Sequence, residues 1–257
     1  MVSPHPPSGL IVPIPRSIQP PTDLDEIVHL YKTLRLEGLS VDPASFSSTF
    51  ERESQFDHET WRSRVVNPIG RTFVAVNSNA QEKTEIEDIE DNKSAIRLLL
   101  QKQWLGIITV LGPVLFSEMS DNTSTALSEK PTLHTAFIKD KCYDVRMDAA
   151  NADFNGAHAA FMIVGLFVLP QARRRGFASR LIEATMKYVR EEAQRRQANK
   201  ASIAIQVAPT NAQAQSLYER LGFHVTDEAI VLTSQRGGEE EVVGLEKEIQ
   251  LESGSFY

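Results

Sequence analysis

AAFMIVGLFVLPQARRRGFASRLIEA, residues 159–184, holds three kinds of sequence in succession. Ala159–Val168 is almost wholly apolar and stops before Pro170, which is how a strand covered on both faces reads. A polar turn follows. From Gly176 onward, Phe177, Leu181, Ile182, Met186 and Val189 recur on one helical face, with Arg180, Glu183, Lys187 and Arg190 elsewhere. The turn carries an anomaly. Arg173, Arg174 and Arg175 stand where the helix begins, an end that is already partly positive and normally collects Asp or Glu. Either the run is a solvated basic turn, or an anion belongs there. A strand, a tight glycine turn and a helix N-terminus make an anion site, because the first amides of the helix have no intrahelical partner. Charge-assisted hydrogen bonds of about 1.5–3 kcal/mol each outweigh a penalty of roughly 0.3–1 kcal/mol per misplaced cation. Taken alone, the run leaves both readings open.

Composition narrows the choice. The chain has 257 residues, 41% hydrophobic, ample for a sizeable core, and a net charge of −7. Residues 171–200 nevertheless carry nine Lys or Arg against three Glu. A local anion suits this distribution better than a long polyanion, which selects a basic domain with interleaved aromatics. No apolar run reaches the roughly 20 residues that cross a bilayer, and the N-terminus shows no charged-then-apolar leader pattern, its apolar stretch being broken by Pro13 and Pro15. These features predict a cytoplasmic protein, or a nuclear one, with no membrane and no nucleic acid among its partners. A single cysteine, Cys142, excludes an internal disulfide and a cysteine-rich metal site. It reads as a small apolar residue.

Outward from the opening stretch, the sequence predicts further elements. Residues 1–9 read as a disordered Pro-rich terminus. LIVPIPRS (10–17) suits an edge strand, since it contains proline. Residues 21–38 read as a helix capped by Thr22 or Asp23 and stopped by Gly38, and 43–66 as a second helical stretch. RTFVAV (71–76) and QWLGIITVLGPVL (103–115) are strand candidates. The polar, acidic stretch between them reads as an insertion over about 77–102, with a short apolar run at 95–100 leading into the second strand. Residues 117–157 show no clear pattern. ASIAIQVAP (201–209) is a strand, and TNAQAQSLYERLGF (210–223) a short helix capped by Thr210 or Asn211 and ended by Gly222. Two strands separated by RGGEE complete the chain within 224–249. The expected organisation is one domain over 10–252.

Val168-Leu169-Pro170 followed by Arg173-Arg174-Arg175-Gly176-Phe177-Ala178 resembles the acyl-CoA binding turn of the GNAT superfamily of N-acetyltransferases. Downstream, Asn211, Ala214, Leu217, Tyr218, Gly222 and Phe223 match that family's N-x-x-A-x-x-L-Y-x-x-x-G-F pattern, with a helix and a strand between the motifs. The joint resemblance covers about 165–223. It implies an α+β (α/β) fold with a central mixed, mostly antiparallel twisted sheet of about 6–7 strands flanked by helices. It also implies acetyl-CoA as acyl donor and a primary amine, on a small molecule or a protein, as acceptor, joined by direct attack in a ternary complex in a monomer or homodimer.

By that resemblance, the backbone from Arg173, Arg174, Arg175, Gly176, Phe177, Ala178 and Ser179 holds the pyrophosphate, the arginine side chains assisting. The pantetheine arm lies beside Leu166, Phe167 and Val168 like an added strand. Asn211 bonds the arm, and Tyr218 donates a proton or a hydrogen bond to the leaving thiolate. Seven residues on a helix are close to two turns, so the two side chains share a face about 10 Å apart. Without the motif, Tyr218 reads as a packing aromatic beside Leu217 and Leu221. No base carries over. The family's acidic positions hold Gln206 and Met162 here, leaving His158, Asp153 and Glu118 as candidates by location only. The acidic surface favours a cationic acceptor. Two alternatives stand beside this reading: a non-catalytic acyl-CoA-binding module of the same fold, suggested by the absent carboxylates, and a nucleic-acid binder using 173–200, which the net charge disfavours.

Overall fold

The computed structural model describes residues 9–78, 91–116, 132–134, 137, 152–233 and 237–251. In chain order the elements are β1 (Gly9–Pro13), α1 (Pro21–Val41), α2 (Phe50–Ser54), α3 (His58–Val65), β2 (Gly70–Asn77), α4 (Asn92–Gln101), β3 (Trp104–Phe116), β4 (His158–Val168), α5 (Phe177–Arg195), β5 (Lys200–Val207), α6 (Ala212–Arg220), β6 (His224–Thr233) and β7 (Glu239–Ile249). The strands form a seven-stranded sheet in the order β1-β2-β3-β4-β5-β7-β6. β4 and β5 are parallel, from His158 opposite Lys200 to Ile163 opposite Ile205, whereas β1–β2 and β5–β7 are antiparallel. A parallel pair needs a long crossover, and α5 supplies it. This is the mixed α+β sheet the sequence predicts. By contacts the chain falls into two compact units, Met1–Thr109 with Gly165–Thr185 and Thr233–Glu240, and Val110–Val164 with Met186–Leu232 and Glu241–Tyr257.

In the first unit, β1 takes the sheet edge, pairing Gly9 with Asn77 and Pro13 with Phe73, so the missing Pro13 amide breaks no second ladder. α1 differs from expectation at both ends. Its N-cap is Pro20, with Pro21 at the first helical position and no side-chain cap. Pro at that position loses nothing, since its amide would be unpaired anyway. Nor does Gly38 stop the helix, which runs on to Val41. Gly38 is needed for space: a Cβ there would lie 3.1 Å from the Phe167 ring. The stretch 43–66 forms two short helices rather than one. Thr49 caps α2 and Asp57 caps α3, and each break falls at the cap. Glu53, buried at 1% exposure, joins α1, α2 and α3 by accepting hydrogen bonds from Arg35 (2.8 and 3.0 Å) and Arg64 (2.8 Å).

The expected acidic insertion is also revised. Residues 79–90 lie outside the described residues, but Asn92–Gln101 is a helix. The Asp91 carboxylate accepts from the Lys93 and Ser94 amides, and Ala95, Ile96, Leu98 and Leu99 are buried. Those positions lie three and four apart, so the run at 95–100 is the inner face of a helix and not an approach to β3.

The second unit contains the start of β4, most of β5–β7, the end of α5 and α6. Ala159–Ile163 and Ala201–Ile205 are at most 5% exposed, as strands covered on both faces should be. Ala160, Met162 and Ala204 pack on one face against Leu111, Val114, Leu133 and Phe137. Asn211 caps α6, its side chain accepting from the Ala214 amide at 3.1 Å, and Gly222 follows the helix at φ +84°. The expected elements at residues 1–8 and most of 117–157, with Cys142 and Glu118, lie outside the described residues.

Candidate active site

The arginine turn is built within the first unit. The β4–β5 register ends at Ile163, and β4 continues through Gly165, at φ +65°, to a half-buried Leu166 and buried Phe167 and Val168. The Leu169 amide then bonds the Leu105 carbonyl at 2.9 Å, fixing the strand end to β3. A single 3₁₀ turn, Pro170–Ala172, reverses the chain. Arg174 takes the left-handed conformation at φ 60°, and Gly176 does so at φ 78°. For arginine that conformation costs roughly 1–2 kcal/mol. Alternating hands along a short backbone run turn successive N–H groups toward one point, making an anion-binding concavity.

α5 starts immediately after. Its first ladder bond runs from the Arg180 amide to the Gly176 carbonyl at 3.1 Å, so the amides of Phe177, Ala178 and Ser179 have no partner in that ladder. A Cβ on Gly176 would meet nothing within 4 Å, so the concavity is open from that side. Phe177, 1% exposed, anchors the helix start in the core.

The three arginines have different jobs. Arg173 donates from Nε to the Val168 carbonyl at 3.0 Å, pairs with Asp42 through its other end and lies over the Phe167 ring at 5.8 Å. Its side chain therefore clamps the strand end to the C-cap of α1. Arg175 stacks over Phe177 at 5.2 Å. Arg174 is exposed. A fourth, Arg180, donates to the Gly9 carbonyl at 2.8 Å and lies over the other side chain of the turn, Phe177, at 5.7 Å. Asp42 carries no sequence signal: 131 residues separate it from Arg173.

Asn211 and Tyr218 lie together in the second unit. Asn211 is the cap itself, and its side-chain oxygen accepts from the Ala214 amide. Tyr218 is 5% exposed and packs against Phe223, ring centroids 6.1 Å apart. Burial pushes its phenol above the ordinary tyrosine range. Its phenol is therefore a poorer acid than a free one.

At the two positions where the family carries acids, Met162 is 2% exposed in the apolar cluster, and Gln206 is half-buried opposite Gly244. The Asp153 carboxylate accepts from the Asn155 amide at 3.0 Å. His158 Nε2 lies 2.9 Å from the Ser202 hydroxyl.

No helix among the described residues is long and apolar enough to cross a membrane. No group of three or more metal-ligating side chains occurs among them.

Residues 146–223 match the model of the acetyltransferase (GNAT) family. No curated protein matches the chain. Among solved structures, the chain is similar to Arabidopsis thaliana NAA60 bound to a bisubstrate analogue, at 15% identity and TM-score 0.49, over 94% of this chain and 100% of that one. It is similar to Vibrio cholerae spermidine N-acetyltransferase bound to CoA and spermine, at 14% identity and TM-score 0.45, over 94% and 96%. It is also similar to the Escherichia coli ribosomal-protein-S18-alanine N-acetyltransferase, at 13% identity and TM-score 0.43, over 96% and 99%. The family match thus covers the segment that holds β4, the arginine turn, α5, β5 and α6.

Proposed function

We propose that the protein is an N-acetyltransferase that moves the acetyl group of acetyl-CoA to a primary amine by direct attack. The observation that carries this reading is the turn at 173–179. Two left-handed residues, three helix-start amides and an exposed Arg174 converge where a family acetyltransferase needs a pyrophosphate cradle. The donor set fits that group, since backbone N–H groups and a guanidinium match phosphate oxygens.

In this reading the amides of Arg174 through Ser179 hold the pyrophosphate and Arg174 neutralises it. Leu166, Phe167 and Val168 offer main-chain groups to the pantetheine arm, and Asn211 bonds the same arm. The acceptor must arrive as a free amine. An alkylamine is mostly protonated at pH 7, and losing that proton costs about 4–5 kcal/mol. With Met162 and Gln206 at the family's acidic positions, water or another group takes it. The amine nitrogen attacks the thioester carbonyl, the C–S bond breaks, the thiolate leaves, and the surplus proton on the nitrogen passes to water or to the thiolate. Tyr218, made a weaker acid by burial, serves as a hydrogen-bond donor to the departing sulfur. Full proton transfer from it to a thiolate of pKa about 8.5 runs uphill. Such a donor lowers the barrier because its bond strengthens as charge develops.

A second reading, a non-catalytic acyl-CoA-binding module, is favoured by the same residues, Met162 and Gln206. Incubation with acetyl-CoA and a panel of polyamines, aminoglycosides and lysine- or N-terminal peptides, following thiol release, separates the two. Turnover that falls in Tyr218→Phe supports the enzyme. Tight CoA binding with no turnover across the panel supports the module. Unchanged CoA affinity in Gly176→Glu removes the cradle from both.

A further inference from the structure

Gly165 separates the part of β4 that pairs with β5, which ends at Ile163, from Leu166–Val168. It is half-buried and left-handed, at φ +65°. A Cβ on it would come within 4 Å of one atom among the described residues, Nη1 of Arg35, at 3.8 Å. The pyrophosphate cradle lies beyond Val168. An arm running back from it along Val168, Phe167 and Leu166 brings its thioester end to Gly165, and so to Arg35.

Arg35 is held from two sides. Its Nε and Nη2 donate to the Glu53 carboxylate at 3.0 and 2.8 Å, and its guanidinium lies over the Phe46 ring at 4.6 Å. Phe46 in turn packs against Phe167, with ring centroids 6.4 Å apart. Two of the three guanidinium nitrogens are thereby used. Nη1, the nitrogen that faces Gly165, donates to no group among the described residues. A guanidinium fixed by a bidentate bond and a ring face loses little freedom when it takes a further acceptor.

The charge around it does not balance. Glu53 is ionised at pH 7, with a pKa of about 2, and it also accepts from Arg64 at 2.8 Å. Neither arginine has another ion pair among the described residues. Two guanidinium groups thus share one carboxylate, and one positive charge is left over. All of these residues belong to the first unit. A local excess of this sign opposes a polyamine at this end of β4 and attracts an anion.

Resting on the acetyl-transfer reading, we propose that Arg35 determines acceptor specificity: its Nη1 takes the carboxylate of a short amino carboxylate whose amine is acetylated beside Gly165.

The test follows thiol release from acetyl-CoA by the wild-type full chain. Glycine and β-alanine are each compared with the corresponding amide at equal concentration of free amine. Each pair differs only in the carboxylate, and no variant has to fold. The carboxylate of at least one pair should have kcat/KM about tenfold to a hundredfold higher than its amide, as one charge-assisted hydrogen bond implies. The difference should lie mainly in KM, because the bond forms in substrate and transition state alike. Arg35→Gln, checked for folding by circular dichroism, should lose the preference while acetyl-CoA affinity stays unchanged. Amides used as well as or better than both carboxylates, or a preference that survives in folded Arg35→Gln, would overturn the proposal. So would no release with either carboxylate while another amine turns over, which leaves acetyl transfer standing. No release with any amine would overturn both readings together.

Discussion

Replacing Gly176 by alanine tests the cradle at its most constrained point. Gly176 sits at φ 78°, where a side chain is strained whatever the space, and its Cβ would meet no atom within 4 Å. Steric clash therefore contributes nothing, and the cost is backbone strain alone, about 1–2 kcal/mol. Alanine also narrows the unfolded ensemble, which offsets about 0.4–1 kcal/mol of that strain and leaves a net cost of up to about 1.6 kcal/mol. A chain of this length shifts by roughly 2–4 °C per kcal/mol, so Gly176→Ala should melt up to about 6 °C lower. Arg174→Gly is the informative companion. It relieves the strain at φ 60° but adds glycine entropy to the unfolded chain, so the two terms nearly cancel and Tm should stay within about 2 °C. Ligand binding should separate the pair differently. Arg174→Gly keeps the amides and loses one cation, whereas Gly176→Ala disturbs the amides and keeps the cation. CoA protection of Tm, read by differential scanning fluorimetry with and without saturating ligand, should shrink in both and more in Gly176→Ala. If Gly176→Ala matches the wild type in Tm and in CoA protection, the turn does not need a left-handed residue there and the cradle argument is refuted.

Other outcomes follow from particular contacts. Burial alone would push the Glu53 carboxyl up, but the hydrogen bond from Arg35 and the charges of Arg35 and Arg64 hold it at about 2. Set against an ordinary value of 4.5, this corresponds to about 3 kcal/mol. Because the folded value is the lower, that contribution is complete above pH 4.5 and fades as pH falls toward 2. Urea unfolding across that window should show a steeper acid loss for wild type than for Glu53→Gln, and parallel profiles would count against it. Gly38→Ala places a methyl 3.1 Å from the Phe167 ring, so it should destabilise by about 1–3 kcal/mol through overpacking, measured by the same unfolding assay. Tyr218→Phe should lower kcat by about tenfold to a thousandfold with little change in KM for acetyl-CoA. Since burial raises the Tyr218 pKa, no alkaline fall in kcat due to that phenol should appear in the wild type below about pH 10.

The fold was legible where short-range pattern decides it. Ala159–Val168 and Ala201–Val207 announce buried strands by continuous apolar sequence, and α5 by the spacing of Phe177, Leu181, Ile182 and Val189. α4 was obscured because its apolar residues are nearly contiguous and follow an acidic stretch, although Asp91 offered a cap. Gly38 misled because a glycine near a helix end normally means termination, while its actual partner, Phe167, is 129 residues away. The same limit applies at the site. The left-handed turn was readable from Gly176, but the assignment of Arg173 to Asp42 and the burial of Tyr218 depend on tertiary packing. Those two facts come from packing alone: Arg173 holds the strand end to the C-cap of α1, and the Tyr218 phenol is made a weaker acid by burial.

The discontinuous make-up of the two units bears on how the chain is synthesised. The first unit needs Gly165–Thr185 and the second needs Val110–Val164, so neither is complete when the first 109 residues have left the ribosome. At that moment α1 lacks Phe167 against Gly38, β3 lacks the Leu169 amide for Leu105, and β1 lacks Arg180 on the Gly9 carbonyl. The partner of each lies more than 60 residues further on. At about 5–20 residues per second, the nascent N-terminal half waits for several seconds with apolar faces uncovered. The arginine turn that would hold the acyl donor thus also lies in a segment that the first unit needs for these contacts.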